Sequence, residues 1–381
     1  MKDLSEIREK INETDSKIIE LWKQRMELSL DVAKYKKENN MPVFDAVREK
    51  ELMDKVASQA GEGLDVYSRM LYGTVTAVSR AYQYKYLYTE GETVRKIKDS
   101  LENTQKVFPQ KAVVACQGVK GAYSGIAAGK IFAYPTISYF KTWQDVVNAV
   151  EQGLCKYGVL PIENSTAGSV NGVYDLMAEH NFYIVRSIRL KINHCLLANH
   201  GARLEDIKEI YSHEQAVNQC GAFLREHRDI KVHICENTAV AAKRVMESGR
   251  KDVAAISSEE CSELYSLSVL SESVQNKDNN YTRFICISKD SEIYPGADKT
   301  SIVLTLPHRP GSLYQVLARF FALGINIIKL ESRPMQNRDF EFMFYFDMSV
   351  SVYDGAFYDI IEQLSRECEY FHYLGSYTEV M

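Results

Sequence analysis

Apolar positions in the first ninety residues repeat with helical spacing. Leu4, Ile7, Ile11, Ile18, Leu21 and Leu28 follow intervals of three, four and seven, which places them on one face of a long helix. Asn39-Asn40 and Pro42 break it. A second helix is expected after Asp45 as N-cap and ends at Gly61 and Gly63, and a third runs from about Leu64 to Tyr88. Thr89 to Gln110 is charged, contains Pro109, and reads as a linker with some helix. Beyond it, apolar runs at Ala112–Cys116, Tyr157–Pro161, Ile184–Ile188, His194–Ala198, Val253–Ser257 and Phe284–Ser288 alternate with helical patterns, which argues α/β. After Tyr294-Pro295-Gly296 the order becomes strand (Thr300–Leu306), helix (Ser312–Leu323), strand (Asn326–Arg333), strand (Phe340–Val350), helix (Ala356–Cys368) and strand (Tyr373–Val380). That is βαββαβ, a ferredoxin-like order.

Composition narrows the function classes. The chain has 381 residues, 45% hydrophobic and 25% charged, which suits two or three globular domains. A net charge of -5 without a long basic run argues against nucleic acid as a partner. None of the 8 cysteines forms a CxxC pair, so neither a zinc site nor a disulfide framework is indicated, and no metal or cofactor is expected. The opening Met1-Lys2-Asp3-Leu4-Ser5-Glu6 enters the amphipathic pattern with no apolar signal core, and no apolar stretch is long enough to span a bilayer. The expected location is cytoplasmic, with no membrane partner.

Charge appears where the first helix should be apolar. Leu4, Ile11, Ile18, Arg25 and Val32 share a seven-residue row, and Arg8, Asp15, Trp22, Ser29 and Lys36 form a parallel one. A buried cation needs an anionic partner. Arg25 and Lys36, about three turns apart, share a face, whereas Arg8 is turned roughly 100° from Arg25. Ser79 and Gln83 lie one turn apart on the third helix, and Arg48 and Glu49 open the second. One reading has these charges snorkel or pair with Asp15, Glu27 or Glu49. The other gathers them into an anion site inside a bundle.

Residues 4 to about 88 resemble the all-helical chorismate mutases at Arg8, Arg25, Lys36, Asp45, Arg48, Glu49, Ser79 and Gln83. The resemblance implies a domain-swapped dimer in which Arg8 comes from the other chain. Arg8 and Arg25 would hold the substrate carboxylates, and Lys36 and Gln83 would donate to the ether oxygen. Glu49 and the backbone at Asp45 would bind the ring hydroxyl, with Ser79 and Arg48 around a carboxylate. The chemistry is a unimolecular rearrangement of a dianion, which requires positioning and charge stabilisation but no nucleophile.

Four motifs mark the middle segment: Gly118-Val119-Lys120-Gly121-Ala122-Tyr123-Ser124, Pro161-Ile162-Glu163-Asn164-Ser165-Thr166-Ala167-Gly168, Ser212-His213-Glu214-Gln215, and Asn280-Tyr281-Thr282-Arg283-Phe284. Singly, each could be turn chemistry. His213 alone could be an acid, a core residue or a surface residue. Together the motifs resemble prephenate dehydratase, which implies two α/β lobes like those of periplasmic binding proteins with substrate in the cleft. Thr282 becomes the leading catalytic candidate, donating to the leaving hydroxyl. Asn164, Ser165, Thr166 and Arg283 would hold the substrate, with Glu163, Ser212, Gln215 and Thr238 as further candidates. A threonine is a poor acid, so a water or a second residue is the alternative proton source.

The C-terminal segment carries Arg309-Pro310-Gly311-Ser312-Leu313 and Glu331-Ser332-Arg333-Pro334. It is a bare dimerisation module or, as both motifs resemble, an ACT domain of phenylalanine-regulated dehydratases. The latter implies L-phenylalanine as effector, bound by Gly311, Ser312 and Leu313 with Glu331, Ser332 and Arg333 of a partner. The expected division is 1–90 mutase, 91–110 linker, 111–290 dehydratase and 298–381 ACT domain, in a homodimer or higher homo-oligomer acting on chorismate and prephenate. Arogenate as the dehydratase substrate, lyase chemistry on isochorismate, and a non-enzymatic amino-acid sensor are the competing readings. The helix charges argue against the sensor. The missing dinucleotide fingerprint argues against a dehydrogenase fusion.

Overall fold

The structure, a computed structural model, describes residues 3–87, 90–335 and 342–380. Tyr88, Thr89 and Phe340, the expected ends of three segments, lie outside the described residues. Helices α1 (Leu4–Glu38), α2 (Ala46–Ala60) and α3 (Asp65–Leu87) make the N-terminal segment all-helical, and α4 (Glu92–Asn103) occupies the expected linker. Local signals set these bounds. Asn40 after α1 has φ 51°. The Asp45 side chain accepts from the Arg48 N–H, and Gly61 ends α2 at φ 77°, where a Cβ would be strained. Ala33, Val43 and Leu87 form a small core with Tyr84. Most of α1 is uncovered: Leu4, Ile7, Ile11 and Ile18 of the apolar row are exposed.

A first α/β lobe follows: β1 (Lys111–Gln117), α5 (Tyr123–Ile131), β2 (Tyr134–Phe140), α6 (Trp143–Glu151), β3 (Tyr157–Asn164), β4 (Gly168–Ser169), α7 (Asn171–Glu179) and β5 (Tyr183–Lys191). The chain then builds a second lobe: β6 (Cys195–Ala198), β7 (Glu209–Ser212), α8 (Glu214–Gln219), α9 (Gly221–Glu226), β8 (Lys231–Ile234), α10 (Thr238–Ser248), β9 (Val253–Ser257), α11 (Glu260–Tyr265) and β10 (Ser268–Ser271). It returns to the first lobe through β11 (Tyr281–Ser288). Two crossings between lobes give the arrangement of periplasmic-binding-protein-like folds. The second lobe's sheet, ordered β10-β6-β9-β7-β8, is apolar on both faces. Leu197 and Ala255 enter one core, and Leu196, Ala254 and Ile256 the other. Strand β2 was not among the apolar runs because it is an edge strand with Pro135 in it and little burial.

The last elements are β12 (Lys299–Thr305), α12 (Ser312–Ala322), β13 (Asn326–Pro334), β14 (Phe342–Ser349), α13 (Gly355–Glu367), β15 (Phe371–Tyr377) and β16 (Glu379–Val380). The βαββαβ order holds, with a sheet ordered β13-β14-β12-β15. The expected final strand is two strands. After Thr378, β16 leaves for the first lobe's sheet and pairs parallel with β5, Glu379 opposite Ser187. Glu379 is fixed there by Arg189 and Arg283. The chain folds as two compact units, one of Met1–Lys96, Leu306–Ile325 and Asp354–Phe371, the other of Ile97–Thr305, Asn326–Tyr353 and His372–Met381.

Candidate active sites

In the helical unit, Arg25, Lys36, Asp45, Arg48, Glu49, Ser79 and Gln83 line one cavity of ≈ 330 Å³. The Arg25 guanidinium donates to Ser79 Oγ. Lys36 Nζ donates to the Val43 carbonyl at 2.6 Å, which aims the ammonium across the α1–α2 loop. Gln83 is buried, its Nε2 is 3.4 Å from Ser29 Oγ, and its Oε1 has no partner among the described residues. A serine hydroxyl accepts or donates, so the amide can turn and offer its NH2 to a ligand. Arg8 is exposed and does not line this cavity. On α1 it stands about 25 Å from Arg25, too far for its side chain to reach. Sequence reasoning missed Arg80. It is 6% exposed, ion-paired with Glu49, and stacks its guanidinium 5.4 Å from the Phe44 ring. It lies three residues before Gln83 on the buried face of α3, a spacing that places it near the cavity but does not name its partner.

Between the two α/β lobes lies a cleft of ≈ 280 Å³, a size suited to a small ligand. Asn164, Gln215, Thr238 and Thr282 line it, and Thr166 lines the adjoining mouth. Strand pairing explains which motif residues arrive there. In the β3–β11 register Thr282 stands opposite Asn164 and Arg283 opposite Glu163. Successive side chains alternate between faces. Asn164 and Thr282 therefore face the cleft, and Asn164 Nδ2 donates to Thr282 Oγ1 at 2.9 Å.

Glu163 and Arg283 face the other way, which corrects their expected place at the substrate. Arg283 is 6% exposed and pairs with Asp347 at 2.5 Å and Glu379 at 3.0 Å, while also donating to Tyr377 Oη. Glu163 pairs with Lys329 at 3.1 Å. Two other expectations are also redirected. Ser165 Oγ donates to the Asn279 carbonyl and accepts from Tyr281 N–H, stapling two loops. Ser212 is fully buried and donates to the Ile256 carbonyl. His213 lines the cleft, but its Nδ1 accepts from the Gln215 N–H as the cap of α8. Burial also pushes its pKa down, so it stands there neutral.

His194 and Gln219 line the cleft and Asn280 its mouth, and the sequence reading named none of the three as a site residue, although Asn280 opens one of its motifs. Gln219 lies one helical turn after Gln215, a spacing that could have found it.

The two expected effector motifs are placed by different units. Gly311, with φ 86°, precedes α12 as its N-cap, Leu313 is in its first turn, and Ser312 Oγ is buried without a partner among the described residues. Glu331, Ser332 and Arg333 lie on β13. There Glu331 accepts from Ser169 Oγ at 2.5 Å, and Arg333 clamps Asp175 with bonds of 2.8 and 2.9 Å. Both partners belong to the segment that follows the Pro161–Gly168 motif.

Residues 114–292 match the prephenate dehydratase family and residues 7–84 the type II chorismate mutase family. The chain is 30% identical over 380 residues to the bifunctional chorismate mutase/prephenate dehydratase of Escherichia coli (strain K12), covering 97% of this chain and 95% of that one. It is 36% identical over 313 residues to arogenate dehydratase/prephenate dehydratase 2, chloroplastic, of Arabidopsis thaliana, covering 78% and 81%. The prephenate dehydratase of Arthrobacter aurescens, solved in complex with L-Phe, matches with a TM-score of 0.64 at 28% identity, covering 70% of this chain and 89% of that one. With one relative matched along nearly its whole length and both segments matched in order, this chain belongs to the bifunctional chorismate mutase/prephenate dehydratase family.

Proposed function

We propose that the chain converts chorismate to prephenate in the helical cavity and prephenate to phenylpyruvate in the α/β cleft, with L-phenylalanine as feedback inhibitor. The carrying observation is that one chain holds a cation-lined cavity and a separate cleft lined mainly by neutral amides and hydroxyls, each of the residue types its reaction needs. In the mutase step Arg25, with Arg8 from a second copy, holds the substrate carboxylates, aided by Arg48, while Lys36 and Gln83 donate to the ether oxygen as its C–O bond breaks and the new C–C bond forms. Glu49 and the backbone at Asp45 take the ring hydroxyl, and Ser79 steadies Arg25. In the dehydratase step the electron pair of the ring C–carboxylate bond moves into the ring and expels the hydroxyl. With one proton taken up, the products are carbon dioxide, water and phenylpyruvate. Thr282 donates to the departing hydroxyl, and Asn164, Thr166, Gln215 and Thr238 position the substrate.

The domain division is 1–90, 91–110, 111–290 and 298–381, with Gly311, Ser312, Leu313, Glu331, Ser332 and Arg333 as effector residues. We place the enzyme as a homodimer or higher homo-oligomer. The uncovered apolar row of α1 and the absence of Arg8 from its own chain's cavity both call for a second copy. Its location is cytoplasmic, in keeping with eight free cysteines. Among the described residues no helix is long and apolar enough to cross a membrane. The test is turnover of chorismate by the purified chain, with and without L-phenylalanine. Phenylpyruvate that falls when phenylalanine is added is the expected result. Prephenate accumulating alone would remove the dehydratase assignment and make arogenate, a substrate in the name of the Arabidopsis relative, the next one to try.

A further inference from the structure

Arg80 lines the helical cavity, but its guanidinium is committed on three sides. One terminal nitrogen is taken by Glu49 Oε1. The other lies 3.5 Å from Gln315 Oε1. The guanidinium carbon stands 5.4 Å from the centre of the Phe44 ring. Arg80 therefore differs from Arg25 and Arg48, which face the cavity as ligands for carboxylates. Glu49 is held by one oxygen only: its Oε2 has no hydrogen-bond partner among the described residues and is the acceptor left for a ring hydroxyl. Without Arg80 the Glu49 carboxylate would add an uncompensated negative charge to a cavity that takes a dianion, and like charges in a part-buried site repel.

The hold on Arg80 comes from far along the chain. Gln315 is in the first turn of α12, and its N–H donates to the Gly311 carbonyl at 2.9 Å. Arg309, just before that turn, places its own guanidinium 4.7 Å from the same Phe44 ring. Phe44 stands between two residues of the cavity wall: Val43, whose carbonyl accepts from Lys36, and Asp45, the cap of α2. The three mutase helices and α12 belong to one compact unit. The first turn of α12 and the residue Arg309 thus brace the back of the cavity at Arg80 and at the α1–α2 loop.

We infer that Arg80 is a positioning residue of the mutase reaction: it presents Glu49 to the substrate hydroxyl, and the C-terminal segment keeps it there through Gln315 and Arg309. The inference rests on the mutase reading of this cavity. In the full chain, Arg80→Met lowers kcat/KM for chorismate about 10- to 100-fold. Prephenate turnover by the same preparation stays within about twofold of the unaltered chain and reports the fold. Gln315→Leu and Arg309→Ala each lower kcat/KM for chorismate about two- to fivefold, the scale of an exposed guanidinium on an aromatic face. Arg309→Lys, which keeps a cation over the ring, stays near the unaltered value.

The deciding comparisons are double variants. A residue acting through Glu49 makes Arg80→Met with Glu49→Gln no slower than Arg80→Met alone, and the losses from Gln315→Leu and Arg309→Ala vanish in the Arg80→Met background. A double variant slower by the full factor of Glu49→Gln overturns the inference and makes Arg80 a direct ligand of the substrate. Unaltered chorismate turnover in Arg80→Met overturns it as well. Arg309 is exposed, so the C-terminal variants carry the test even where Arg80→Met does not fold: full mutase activity in Gln315→Leu combined with Arg309→Ala overturns it. Failure of the unaltered chain to consume chorismate removes the mutase reading instead.

Discussion

The walls of the two cavities differ in kind. The helical one presents formal charge: Arg25, Lys36 and Arg48 with Glu49 and the buried Arg80. The α/β cleft presents mainly amides, hydroxyls and two histidines whose pKa burial lowers, with Glu236 as the formal charge on its described wall, and its motif cation, Arg283, is turned to the opposite face. The difference follows the chemistry. A rearranging dianion gains from fixed positive charge that needs no reorganisation. An elimination gains from one donor hydrogen held in the right direction, and Asn164, which donates to Thr282 Oγ1, orients that hydroxyl without formal charge of its own. The cavities also differ in completeness. The dehydratase cleft is walled by two lobes of one chain, whereas the mutase cavity lacks its expected Arg8.

The largest expected effect tests that incompleteness. Lys36→Ala and Arg8→Ala should each lower chorismate turnover about 10²–10³-fold while prephenate turnover stays normal. Co-refolding the two inactive variants should restore about a quarter of wild-type mutase activity, because half the dimers are mixed and each mixed dimer rebuilds one intact site. No recovery, with dimers present, would place Arg8 in its own chain's site or in none. A smaller catalytic effect sharpens the contrast from the other side. Arg283→Ala strands Asp347 in a buried pair and should lower stability by about 3 kcal/mol or more. It should leave KM for prephenate within about twofold. Thermal unfolding and steady-state kinetics read both quantities. A large rise in KM with unchanged melting would return Arg283 to the substrate.

Features governed by local rules were legible. Asp45 and Gly61 bound α2 as their cap chemistry requires, and Arg25 in a row of Leu, Ile and Val marked the mutase cavity. Features set by pairing were not. Whether Thr282 or Arg283 faces the cleft depends on the register of β11 with β3, and the bulge between Arg283 and Phe284 hides it from simple counting. Gln219 and His194 become cleft residues only when the second lobe closes against the first. The switch of Glu379 into another sheet is decided by Arg283 and Arg189, far away in sequence. The role of Arg80 rests on a partner in α2, Glu49, that no spacing within α3 could reveal.

The central claim is that one chain runs two reactions at two independent sites. Thr282→Ala, assayed on chorismate and on prephenate, tests it most directly. The account predicts chorismate consumed at the wild-type rate, prephenate accumulating in equal amount, and phenylpyruvate formation reduced at least about a hundredfold. Phenylpyruvate at the wild-type rate, or equal loss of both activities in a normally folded chain, would contradict it.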